Sequence, residues 1–214
     1  VTEAPSSVIE QAKYAYDLIV GELESSGSML PRAVIVGEKD LAIVVSPFVG
    51  SSEEEVDREK NNFSIYVKVR AIADRAEEVM YLSEAWIVTF DPSDTEGYAQ
   101  FLEWRKTHWS FSEHPDRKEV ATIHIETREG MLLASFEQRR ESAERSTLVP
   151  FEEGNKTWTP AGAERKFTGR MSAFLPPKQI IDDEEIVDQA RTFLELLEKT
   201  GPFKSQLVEK PTFH

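Results

Sequence analysis

Cysteine is absent from this 214-residue chain. That absence removes disulfide scaffolds, thiolate zinc sites, iron–sulfur ligation and cysteine nucleophiles together, and leaves the redox compartment open. Glycine is sparse: there are ten, mostly in turns. Neither G-x-x-x-x-G-K-[ST] nor G-x-G-x-x-G occurs, so no recognisable phosphate cradle is present. The G-x-S-x-G elbow of a nucleophilic serine is missing as well. Among the four histidines there is no H-E-x-x-H, and no D-x-D-x-D-G calcium loop appears. No apolar run approaches the roughly 18 residues of a membrane span. The opening Val1-Thr2-Glu3-Ala4-Pro5 lacks the basic and apolar regions of a signal peptide, so the cytoplasm is the expected location, without membrane contact.

Positive charge is the other shortage. Against 39 Asp and Glu stand 25 Lys and Arg, a formal charge of −14. The densest basic stretch (Arg139, Arg140, Arg145, Lys156, Arg165, Lys166, Arg170) is interleaved with Glu141, Glu144, Glu152, Glu153 and Glu164. A nucleic-acid binder normally clusters its basic residues on one face, so direct binding to DNA or RNA is not expected. The same charge would suit a basic protein partner, or a decoy that imitates a nucleic-acid backbone.

What is present suits one globular domain. With 40% hydrophobic residues, a chain this long buries roughly 70% of its extended surface without disulfides or structural metal. Val8, Ala12, Ala15, Ile19 and Leu23 recur on one helical face, and Ser7 with Glu10 forms a capping-box pattern, predicting a helix over about 7–25. Two apolar runs, 33–36 and 41–45, flank a polar turn and predict a β-hairpin. Both faces of its strands are apolar, which implies cover on each side or a central place in the sheet. A helix is expected over about 53–76, with Asn61-Asn62 as a possible break, and a strand over 78–90. Residues 119–127 and 131–140 read as a second hairpin whose Thr122, His124 and Glu126 would line a wet face. Short strands are expected near 148–151 and 170–175. Asp182 or Asp183 caps a final helix with Ile186, Ala190, Phe193, Leu194 and Leu197 on one face. That stripe would complete the core or pair with a second copy in a homodimer.

The order α-β-β-α-β-(insert)-β-β-(irregular)-α predicts an α+β fold: a single domain over residues 1–201, with a mostly antiparallel sheet of five to seven strands and helices on one face. Residues 91–118 form an aromatic-rich insert with a short helix near 95–106. Residues 202–214 form an extended tail. Trp104, Trp109 and Phe111 on the insert, with Trp86, would make an interaction surface or a satellite core under a long loop.

Ser83-Glu84-Ala85-Trp86 on the third strand and His114-Pro115-Asp116-Arg117-Lys118-Glu119 at the entry to the next form the richest constellation. A carboxylate inside the apolar row Met80, Leu82, Glu84, Trp86 is costly unless paired. The expected partner is Arg117, whose guanidinium fork would make a structural ion pair and fix the insert to the sheet. The alternative is a divalent-metal site of His114, Asp116, Glu119 and His124, with Glu126 a further possible ligand, supporting metal-dependent hydrolysis. In a regular strand Glu119 faces away from His124, which weighs against a common ligand set. The S-E-A-W strand followed by H-P-D-R-x-E resembles a pattern in uncharacterised prokaryotic and bacteriophage proteins over about residues 78–140. The resemblance implies no activity, cofactor or catalytic residue. The resulting expectation is a protein-interaction module with no cofactor. A metal-dependent hydrolase and an acidic decoy are the alternatives.

Overall fold

The computed structural model describes residues 3–46, 48, 52–88, 94–108, 113–163 and 173–209. The elements are α1 (Ser6–Ser26), β1 (Arg32–Val36), β2 (Asp40–Val45), α2 (Glu53–Ala73), β3 (Glu78–Ile87), α3 (Thr95–Arg105), β4 (Lys118–Thr127), β5 (Gly130–Ser142), β6 (Arg145–Leu148), β7 (Asn155–Pro160), α4 (Lys178–Ile181), α5 (Glu184–Thr200) and β8 (Ser205–Glu209). The fold is α+β, with one antiparallel sheet of eight strands. Its order is β6-β5-β4-β3-β1-β2-β8, and β7 pairs with the first half of β5. Among the described residues no helix is long and apolar enough to cross a membrane.

Local sequence explains the long helices. In α1 the stripe Val8, Ala12, Ala15, Ile19 and Leu23 is buried. The capping box is not used: the helix starts at Ser6, so Ser7 lies inside the first turn, and the Pro5 carbonyl accepts from the amides of Val8 and Ile9. Gly27 ends the helix at φ 74°, with its amide donating to the Leu23 carbonyl. This left-handed position favours glycine, and an added Cβ would also meet the Ala143 carbonyl at 2.6 Å. Ser52 caps α2 by accepting from the Glu55 amide at 3.3 Å. The expected break at Asn61-Asn62 is absent, because Phe63, Tyr66 and Val67 directly after it are buried and packing overrides weak propensity. Asp183 Oδ1 caps α5 by accepting from the amides of Glu185 and Ile186.

Strand alternation separates two cores. Ala33, Ile35, Ala42, Val44, Val79 and Tyr81 point to one face and pack with Phe63, Tyr66 and Val67 of α2 and Leu194 of α5. Leu82, Ala121, Ile123, Ile125, Leu132, Ala134 and Phe136 point to the other face and pack under α1. Helices therefore lie on both faces of the sheet, not on the single face expected from element order. The apolar character of both sides of these strands is the physical reason.

Two further segments differ from expectation. Thr122, His124 and Glu126 do not line a wet face: His124 and Glu126 are buried, and Glu126, 2% exposed, accepts from the amides of Phe174 and Leu175 at 3.1 and 3.0 Å. Phe174 enters the α2 core 5.6 Å from the Tyr81 ring. A buried carboxylate accepting two backbone N–H bonds is well compensated, so it can pin a non-local segment onto the sheet. The expected strand near 170–175 lies partly outside the described residues, while Asn155–Pro160, inside the stretch expected to be irregular, forms β7.

The tail is the other difference: β8 pairs with β2 from Asp40↔Glu209 to Val44↔Ser205. Behind it, buried Arg70 donates to Asp74 (2.5 Å), Glu198 (3.4 Å) and the Ser205 hydroxyl (2.9 Å). Tyr66 donates to Glu198 at 2.7 Å, and burial pushes its hydroxyl up to about 12. Burial likewise raises the Asp74 carboxyl, with the Arg70 charge opposing it. Arg70→Ala should cost about 2 kcal/mol in urea denaturation, because three partners lose a shared donor. Amide exchange along β8 should accelerate, and unchanged exchange there would show that strand pairing alone holds it.

Candidate functional site

Sheet register brings the two constellations of the sequence side by side. Trp86 lies opposite Glu119, and Ile87 opposite Lys118. Glu84, however, lies opposite Ala121. Arg117 is four residues back, about 13 Å along an extended chain. The expected Glu84–Arg117 ion pair is not formed. Glu84 instead accepts from the Met29 amide at 3.0 Å and from Gln138 Nε2 at 2.9 Å. These neutral donors tie the α1–β1 connection and β5 to β3. Arg117 lies over the Trp86 ring, 5.2 Å from its centroid, and donates to the His114 carbonyl at 3.2 Å.

His114 belongs to a small aromatic cluster built by α3. Its buried ring stands edge-on to Trp104 at 4.7 Å and lies 5.9 Å from Phe101, while His108 stacks on Trp104 at 4.4 Å. The Asp116 amide donates to His114 Nδ1 at 3.1 Å. A nitrogen that accepts carries no proton, so Nε2 holds it. A metal on Nε2 would require the proton on Nδ1 and would break this turn. Trp104 is half-buried against these rings; Trp109 and Phe111 lie outside the described residues.

The four metal candidates do not converge. His114 is in the turn before β4, Asp116 is exposed, and Glu119 accepts from Arg140 at 2.8 Å. His124 is on the opposite face from Glu119, with its Nε2 3.4 Å from Glu126 Oε1. Among the described residues no group of three His, Asp or Glu side chains could hold a metal ion.

A different surface emerges from the register. Val34↔Ile43, Val36↔Leu41 and Leu41↔Val208 pair across β1, β2 and β8, so these side chains and Val45 share one face. It is the face that α1 covers further along the sheet. None of these residues belongs to either core, and Val45 and Val208 are 40% and 38% exposed. On α1, Gln11 donates to Glu78 at 2.8 Å and Glu22 pairs with Arg32 of β1. The flank carrying Gln11 and Glu22 therefore turns towards β1. Tyr14 and Leu18 lie on that same flank and are exposed. The result is a shelf with an apolar sheet floor and α1 as its wall. Sequence reasoning noticed the two-sided apolar strands but assigned both sides to burial. The signal was the excess of apolar faces over amphipathic helices able to cover them.

Arg117→Ala should lower stability by under about 1 kcal/mol, the scale of an exposed cation–π contact. Glu84→Ala should cost about 1–3 kcal/mol by leaving the Met29 amide and Gln138 without their acceptor. Equal effects in chemical denaturation would contradict the assignment of Glu84's partners. Comparison of the chain with protein-family models, with curated proteins and with solved structures finds no match to any of them, so local geometry is what bears on function.

Proposed function

We propose that the chain is a non-catalytic protein-interaction module that binds through the face of β1, β2 and β8 that no helix of the described residues covers. One observation carries the reading: Val34, Val36, Leu41, Ile43, Val45 and Val208 form a contiguous apolar patch outside both cores, half-buried except at Val45 and Val208 and bordered on the same face by Arg32 and Gln206. Contiguous exposed apolar surface is uncommon on a monomer and marks interaction sites. The insert named in the sequence reading is less suited to this role, since Trp104 and Phe101 spend their surface on His114 and on each other.

A nucleic-acid decoy would ask for carboxylates at the charge density of a nucleic-acid strand, one per about 3.4 Å of axial rise. The row Glu10, Asp17 and Glu24 on α1 steps by seven residues, about 10 Å. That spacing favours the apolar floor over mimicry as the source of affinity.

The test compares the wild type with Val45→Ser/Val208→Ser, two exposed positions whose change should leave the fold intact. A partner recovered from host-cell lysate and then purified should bind the wild type about tenfold or more tightly than the variant. Equal affinity would remove the face from consideration. In the same preparations Mn²⁺ or Zn²⁺ should leave the melting temperature unchanged. A metal-induced rise that His114→Ala abolishes would favour the hydrolase instead.

A further inference from the structure

Resting on that reading, we infer that the occupant of the shelf is an amphipathic α-helix with basic residues along one edge, contributed by another protein and seated beside α1. The dimensions select a helix. Three strands at about 4.8 Å spacing present roughly 14 Å of floor, wide enough for one helix of about 10–12 Å diameter and too narrow for two. Strands of five and six residues run about 17–20 Å, the length of a helix of about 12 residues. On the opposite face, α2 and α5 together cover this half of the sheet. On the shelf side, α1 packs over β4 and β6 and stops at the flank that faces β1. Among the described residues, the position left uncovered is thus one helix wide, bounded by Tyr14 and Leu18.

Charge selects the chemistry of the rim. Glu10, Asp17 and Glu24 are exposed and recur every seven residues along the outer side of α1. Lys13 is the lone basic side chain of that helix. The stripe lies opposite the buried face of α1 and next to Tyr14 and Leu18, so only the solvent-side edge of a helix on the shelf comes within electrostatic reach of it, and there Lys or Arg would gain and Asp or Glu would lose. A second copy of the chain is a poor occupant, because it would add another −14 and bring one acidic α1 towards another.

The experiment uses the full chain and two dye-labelled model peptides of about 14 residues with the same leucine stripe, one carrying lysine on its polar face and the other glutamate. Fluorescence anisotropy is read at two salt concentrations. The Leu/Lys peptide should bind the wild type and weaken with salt. It should lose about tenfold in affinity for Glu10→Lys/Asp17→Lys/Glu24→Lys, and that variant should gain affinity for the Leu/Glu peptide. Tyr14→Ser/Leu18→Ser and Val45→Ser/Val208→Ser should each weaken the Leu/Lys peptide, with unchanged circular dichroism confirming that the variants fold. Leu/Glu binding as tight as Leu/Lys, abolished by the floor variant, would overturn the basic-helix inference while leaving the shelf as a binding face. Leu/Lys binding indifferent to both shelf variants would overturn the inference and the shelf reading together. A wild-type dimer in sedimentation that Val45→Ser/Val208→Ser dissociates would assign the shelf to a second copy and overturn the inference.

Discussion

An antiparallel sheet with apolar residues on both sides must be covered on both, and the way this chain meets that constraint shapes everything else. Strand alternation sends Tyr81 towards α2 and Leu82 towards α1, two neighbouring residues serving two separate cores. The helices are offset: α1 covers β4 and its neighbours on one face, while α2 and α5 cover β1, β2 and β3 on the other. Of the four half-faces this produces, two are covered by long helices. A third, beside β4, is partly covered by Phe174 and Leu175, held there by Glu126. The fourth is the shelf.

Buried and half-buried polar groups do the joining that apolar packing leaves undone. Glu84 holds the α1–β1 connection through the Met29 amide, Glu126 holds the segment at 174–175, and Arg70 links α2, α5 and β8. Each spans a long sequence separation, and each satisfies groups that would otherwise be costly to bury. Glu84 and Glu126 both meet backbone amides, so the partner that matters is a main-chain donor delivered by a turn and has no signature in side-chain composition.

The proposed binding role follows from the same offset. A sheet face left bare beside an acidic helix combines non-directional apolar attraction with a charge preference, the first setting affinity and the second setting partner choice and approach. The α3 cluster around His114 is a packed group of rings. Its histidine is oriented by the Asp116 amide and packed against Trp104, which fixes the turn into β4.

Periodicity along the chain was enough to place α1, α2 and α5, to pair β1 with β2 and β4 with β5, and to identify the α+β class, because these features depend on residues a few positions apart. It was also enough to show that β1 and β2 are apolar on both sides and that Glu84 needs compensation. Which atoms supply that compensation was decided by register: opposing Glu84 to Ala121 put Arg117 four residues further back, over Trp86, and left the carboxylate to Met29 and Gln138. The docking of Phe174 beside β4, the return of the tail as β8 and the partial exposure of the β1–β2–β8 face were likewise tertiary decisions. Each depends on which distant segment reaches a face first, and hydrophobic pattern records that a face is apolar without recording what covers it.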